Sequence, residues 1–147
     1  MWTNSIKQVE TEVGDAMIRA PKVLDEAASA ADAKSLLVDD HTHLVLVVDR
    51  HGTLVTTIER ADLGHSLEDA TPARVLGRVV GRTVSPATSV RDALAVMEGS
   101  HRRRLAVVDE AGKLLGLLCL KRSGNGFCSD ADVRSRRVGV PFQQRRT

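Results

Sequence analysis

Aromatic side chains are nearly missing from this chain: its 147 residues include one Trp, two Phe and no Tyr. The core must therefore be built from Val, Leu, Ala and Ile, and the shortage argues against holding nucleic acid on stacked aromatic platforms. Cysteine is scarce too. Cys119 and Cys128 lie nine apart rather than in a CxxC pair, which predicts two free core thiols and a reducing compartment. No apolar run approaches the ~20 residues of a membrane span. The opening MWTNSIKQVE has no apolar h-region. The expectation is a cytoplasmic protein with no membrane partner. Net charge is only +2, too little to argue for a polyanion partner.

What is present is globular. Apolar residues make up 42% and charged residues 27%, a composition that buries a core instead of remaining disordered. The length suits one compact domain, or two half-domains sharing a core.

The second arrangement is favoured by an internal repeat. VVDRHGTLV (Val47 to Val55) returns as VVDEAGKLL (Val107 to Leu115) at an offset of sixty, and the same offset pairs Ser29 with Ser89, Asp32 with Asp92, Ala33 with Ala93 and His41 with His101. SAAD and SVRD are both Ser-x-x-Asp, the pattern of a helix start. Ala30, Ala33, Leu36 and Leu37, and likewise Val90, Ala93, Leu94 and Met97, then fall at helical spacing. Polar loops DDHTH and GSHRR lead into the apolar runs LVLVVD and LAVVD, each followed by a turn containing Gly52 or Gly112 and a second apolar strand. Neither unit is long enough to cover both faces of its own sheet, so the two are expected to pack on each other.

The repeated V-V-D-x-x-G-x-L-V after a helix resembles a tandem pair of CBS (cystathionine β-synthase-type) domains, the Bateman module. Val13 to Met17 resembles the family's opening segment, and Val84-Ser-Pro86 its first strand in the second copy. The resemblance implies an α/β fold of two repeats, each β-α-β-β-α, packed pseudo-symmetrically through their sheets. The organisation it implies is an N-terminal tail over 1–9, repeat 1 over 10–70, repeat 2 over 71–137 with an inserted hairpin near 119–128, and a C-terminal tail over 138–147. It further implies adenosine-containing ligands (AMP, ADP or ATP, with S-adenosylmethionine or NAD as further members) in clefts between the repeats.

The family's ribose motif is Gly-h-h-[Ser/Thr]-x-x-Asp, where h is apolar. In repeat 1 the matching stretch is TTIERADL. Asp62 is in place, but Glu59 stands at the hydroxyl position and Thr56 at the Gly. A second carboxylate there repels phosphate by an amount on the order of a kcal/mol, and Asp62 also fits as a plain helix-start residue. Repeat 2 offers two registers. One ends the strand at Cys119 and puts Arg122, a pure donor, where the diol acceptor belongs. The other treats SGNG as the tip of an inserted hairpin, so that Gly126-Phe-Cys-Ser129-Asp-Ala-Asp132 fits the motif at every place. Ser129-x-x-Asp132 reads equally well as a helix cap. The insertion is favoured, because SGNG cannot begin a helix.

For the phosphates the resemblance implies His43 and Leu44 in repeat 1, and Arg103 and Arg104 in repeat 2. Alternation along a strand predicts that only one of these two arginines points inward, and the run HRRR also fits a solvated loop face. Val23, Leu24, Thr83, Val84 and Leu105 complete the implied nucleotide-binding set.

Asp39, Asp40, His41 and His43 are ligand-type residues, but no second Cys/His cluster completes a metal shell. No G-x-S-x-G elbow marks a nucleophile. The basic tail VRSRRVGVPFQQRRT is expected to be a frayed end or a helix packed on a partner. The expectation is thus a non-catalytic sensor of an adenine nucleotide, with no cofactor required, signalling as a homodimer to an unidentified downstream protein. A structural CBS dimer with decayed sites is the alternative. Nucleic acid is not an expected partner.

Overall fold

The V-V-D-x-x-G stretch is the local event that builds each sheet. In the computed structural model, which describes residues 11–131, Asp49 Oδ1 accepts from the amides of His51 (2.8 Å) and Thr53 (3.0 Å). Asp109 Oδ1 accepts from Ala111 and Lys113, both at 2.9 Å. The carboxylate satisfies amides that the turn would otherwise orphan. Gly52 and Gly112 take φ of 83° and 85°, a region that side chains disfavour. The repeated Asp and Gly are therefore there for the turn.

Along the chain the elements are α1 (Val13–Ala16), β1 (Val23–Asp25), α2 (Ala30–Leu37), β2 (Val45–Val48), β3 (Leu54–Ile58), β4 (Thr83–Val84), α3 (Val90–Ser100), β5 (Arg104–Val108) and β6 (Leu114–Cys119). They form two three-stranded sheets, β1-β2-β3 and β4-β5-β6, each with one parallel and one antiparallel pairing. Even the irregularity is duplicated: pairing shifts between Val47 and Val48 in one sheet, and between Val107 and Val108 in the other.

Ser29 caps α2 as expected, its Oγ accepting from the Asp32 amide while Asp32 Oδ2 accepts from the Ser29 amide. Ser89 makes the first of those bonds on α3, at 3.1 Å from the Asp92 amide. The helix expected after β3 is only a 3-10 turn, Arg60–Asp62. Gly64 follows after Leu63, and glycine in a helix interior is unfavourable.

The central strands are buried on both faces, which is why they read as unbroken apolar runs. Val45 and Val47 face α2 in a cluster with Ala33, Leu37, Ile58 and Ala73. Leu44, Leu46 and Leu54 face the other repeat and meet Ala106. A third cluster joins Val13, Ala93, Met97, Leu105, Val107 and Leu118. Val13 thus completes the core of the second repeat and Ala73 that of the first, so the opening segments cross over. The crossings match at the offset of sixty: Glu12 bridges Ser89, and Pro72 bridges Ser29. Leu54 and Leu114 donate reciprocally to Gly112 and Gly52 at 2.9 Å, stitching the turns of the two sheets together.

After β6 the chain folds back on itself. Leu120 bridges Phe127, and the Cys128 amide donates to the Cys119 carbonyl at 2.7 Å. SGNG is a turn, and a helix begins at Asp130. Cys119 and Cys128 are buried, and their sulfurs touch. Among the described residues no helix is long and apolar enough to cross a membrane.

Candidate functional site

Two loops that deliver the chain into central strands meet at the seam. His43 and Leu44 lead into β2; Ser100 to Arg103 lead from α3 into β5. With Glu59, Arg60 and Ala61 beyond β3 they line an open cleft of ≈ 380 Å³ that also takes in Arg104. That volume falls in the range of small-molecule sites, roughly 300–1,000 Å³. Since His43 and Arg103 are sixty apart, as are Leu44 and Arg104, the cleft straddles the relation between the repeats.

Four guanidinium groups border it against one carboxylate. Arg60 is held by its Nη2, which donates to the carbonyls of Leu37 (2.6 Å) and Asp39 (2.9 Å) at the end of α2. Arg102 forks onto Glu59, Nε to Oε2 at 2.6 Å and Nη2 to Oε1 at 3.2 Å. This bidentate pairing is among the stronger protein hydrogen-bond arrangements. His101, which ends α3, adopts φ 57° and ψ 37°, turning the chain so that Arg102 follows directly.

Behind the cleft, Arg82 is buried, with 3% of its side chain exposed. Its Nη1 donates to Asp62 Oδ2 (2.7 Å) and to the Thr57 carbonyl (3.1 Å); its Nη2 donates to Asp62 Oδ1 at 3.2 Å and lies 3.1 Å from Glu59 Oε1. Asp62 Oδ2 also accepts from the Glu59 amide at 2.7 Å. The result is an unbroken line, Arg102–Glu59–Arg82–Asp62. Arg82 Nε is buried without a partner among the described residues.

The titrating groups report this field. Burial pulls His43 below its ordinary value, and the charges of Arg104, Arg60, Arg103 and Arg122 push it further down. For Asp62 burial acts upward, but the Arg82 hydrogen bond, the Glu59 amide and the charges of Arg82 and Arg78 outweigh it, and the carboxyl is held low. The Glu59 hydrogen bond raises Arg102, against burial, with the charges of Glu59 and Asp62 adding to the rise. At neutral pH the cleft therefore presents cationic forks beside an uncharged imidazole, an arrangement suited to anions.

Of the residues expected to bind nucleotide, His43, Leu44, Arg103 and Arg104 come together here. Both arginines line the cleft, not one alone: β5 begins at Arg104, so Arg103 sits in the loop, where strand alternation has no hold. Asp62 lies behind the cleft, its carboxylate taken up by Arg82. Leu105 is fully buried in the core. Leu24 packs against the first repeat's cluster and Val84 against the second's, Thr83 pairs with Ala106, and Val23 is exposed. Ser129 is exposed, and Asp132 falls outside the described residues. The carboxylate of neighbouring Asp130 accepts from the amides of Arg19 and Ala20. Among the described residues no group of three or more His, Cys, Asp or Glu side chains is placed to hold a metal.

Sequence reasoning missed Arg60, Arg82 and Arg102. For Arg82 one signal existed: a second acid, Glu59, placed in a half-buried cleft calls for a compensating cation.

The family model described as CBS domain matches residues 13–67 and 77–122. Among solved structures, a cystathionine β-synthase pair domain from Shewanella oneidensis MR-1 is similar at 26% identity and TM-score 0.68, over 90% of this chain and 75% of that one. CBSX2 in complex with AMP is similar at 26% identity and TM-score 0.63, over 87% and 97%. The CBS domains of a transcriptional regulator from Streptococcus pneumoniae share the fold at 18% identity and TM-score 0.64, over 84% and 97%. A comparison with curated protein sequences gives no significant match.

Proposed function

We infer the function of this chain from one premise: it belongs to the CBS-domain family, as a tandem pair. CBS pairs are generally regulatory modules. On that basis the chain is a regulatory, non-catalytic sensor that takes an adenine nucleotide (AMP, ADP or ATP) into the cleft between its repeats. Binding shifts one repeat against the other, and a homodimer transmits the shift to a downstream protein.

The observation that carries the reading is the convergence of Arg60, Arg102, Arg103 and Arg104 with His43 at the seam. The AMP complex of CBSX2, 26% identical, supports the ligand class. S-adenosylmethionine fits poorly, because it has no phosphate and its sulfonium charge meets four cations. A thermal-shift panel tests the reading. A nucleotide at 100 times its dissociation constant adds about 2.7 kcal/mol, worth about 8 °C in a chain of this size. No shift with AMP, ADP, ATP or NAD at millimolar concentration sinks it.

One observation favours a second reading, in which the first ribose position is decayed and the module serves assembly alone. Arg82 already fills the acceptor that a ribose diol requires. Native mass spectrometry separates the two: a dimer with bound nucleotide supports sensing, a dimer that stays empty with added nucleotide supports assembly.

A further inference from the structure

The cleft and the line of charges behind it differ in what a ligand can reach. Arg82 is buried and engages Asp62 with two nitrogens, so the acidic side chain best placed to accept from a ribose diol is occupied from within. Around the cleft itself the apolar contribution is Leu44 and Ala61, and the lining has no Phe, Tyr or Trp, its aromatic faces being the small imidazoles of His43 and His101. What the cleft holds in quantity is forked cation. The Arg103 guanidinium lines the cleft, and Arg102 spends its fork on the carboxylate of Glu59. A carboxylate accepting a bidentate guanidinium presents the same pair of oxygens as a phosphate.

Resting on the nucleotide reading above, we propose that this cleft recognises a di- or triphosphate chain more than the nucleoside attached to it, and that Glu59 is its built-in competitor. A terminal phosphate takes Glu59's place on Arg102. Glu59 remains paired to Arg82, 3.1 Å away, so the exchange leaves no carboxylate without a partner. Burial first, then the charges of Arg104, Arg60, Arg103 and Arg122, lower the basicity of His43, in keeping with a positive field across the cleft. Affinity then rises with the number of phosphates and falls steeply with salt. Glu59 sets the threshold by excluding ligands too weakly charged to displace it.

The test is isothermal titration of the full chain, without divalent cations, against inorganic triphosphate, ATP, GTP, AMP and adenosine. Triphosphate, ATP and GTP are expected to bind within about tenfold of one another, AMP at least tenfold more weakly, and adenosine not at all. Glu59→Gln removes the competing charge and should tighten triphosphate about tenfold; Arg103→Met should weaken it by a similar factor. Far-UV circular dichroism reports whether Glu59→Gln folds, and the Arg103 variant carries the test if it does not. Adenosine or AMP binding as tightly as ATP, with triphosphate silent, overturns the inference and leaves the nucleotide function standing. Weaker triphosphate binding by folded Glu59→Gln overturns the competitor role. Silence from every compound removes both the inference and the function beneath it.

Discussion

Replacing Arg82 by Met tests the charge line directly. The substitution keeps an unbranched apolar stem in a buried slot and removes the guanidinium facing Asp62, Glu59 and the Thr57 carbonyl. Breaking a buried ion pair from one side typically costs 3–5 kcal/mol. Two features pull the figure to the low end. Asp62 and Glu59 retain 19% and 23% side-chain exposure, and each keeps another donor, the Glu59 amide for Asp62 and Arg102 for Glu59. The unpaired Nε also disappears, which returns about 1 kcal/mol. The expected loss is about 2 kcal/mol at pH 7, or about 6 °C in melting temperature. Its pH dependence has a definite sign. Asp62 is held below its ordinary 3.8 in the native protein, so its stabilisation is present above that pH and lost as pH falls through the depressed value. The variant lacks that stabilisation, so its difference from wild type should persist at pH 4 and shrink as pH falls below 3.8. Urea unfolding at pH 7 and pH 3, with Asp62→Asn completing a double-mutant cycle, measures this. A loss under 1 kcal/mol at pH 7, or a gap that does not narrow in acid, refutes the reasoning.

Three other outcomes follow from particular contacts. Gly77 has φ 68°, and a Cβ there lies 1.9 Å from the Thr57 carbonyl oxygen. Gly77→Ala should therefore cost about 2–4 kcal/mol, from the left-handed backbone and the displaced β3 edge together, visible as a melting temperature lowered by several degrees; an unchanged melting temperature contradicts the close approach. Burial first, then the surrounding arginines, depress His43 below its ordinary 6.5, so the unfolded chain takes up that proton first and stability drops as pH falls through 6.5. His43→Gln should flatten the decline in urea midpoint between pH 7 and 5.5, and identical slopes would remove His43 as its source. Cys119 and Cys128 are 2% and 7% exposed, so an aromatic disulfide reagent should modify them at least ~100-fold more slowly in the native protein than in urea.

The fold was legible because its determinants are local and stated twice. Ser29 and Ser89 each cap a helix, Asp49 and Asp109 each gather two amides, and Gly52 and Gly112 each take a left-handed φ. Any one match is weak; a shared offset makes them mutually supporting. The crossing of the opening segments was not legible, because Val13 and Ala73 are small apolar residues whose destinations depend on distant partners. The site was legible only in part. His43, Leu44, Arg103 and Arg104 lie beside strands whose positions the repeat fixes. Arg82 lies twenty residues from Asp62, in a stretch without periodicity, and pattern alone does not reveal which acid a lone arginine will meet. The short turn at Arg60–Asp62 was missed for a related reason: Ser-x-x-Asp-like spacing marks a helix start but says nothing of how far the helix runs.

The duplication also separates folding from binding within this one molecule. Positions that match at the offset of sixty hold backbone or core duties: the caps Ser29/Ser89 and Asp32/Asp92, the buried Ala33/Ala93 and Val47/Val107, and the turn residues Asp49/Asp109 and Gly52/Gly112. Positions that line the cleft differ between copies: His43 against Arg103, Leu44 against Arg104, Thr42 against Arg102, Glu59 against Cys119, Arg60 against Leu120. His101, matched by His41, is the exception, and its left-handed backbone gives it a duty at the end of α3 as well. A seam between two identical repeats would present symmetric walls. Here the second repeat supplies Arg102, Arg103 and Arg104, while the first supplies Arg60 and the carboxylate that restrains Arg102. Such a cleft has a charged side and a governed side, and it favours a ligand whose own charge sits at one end.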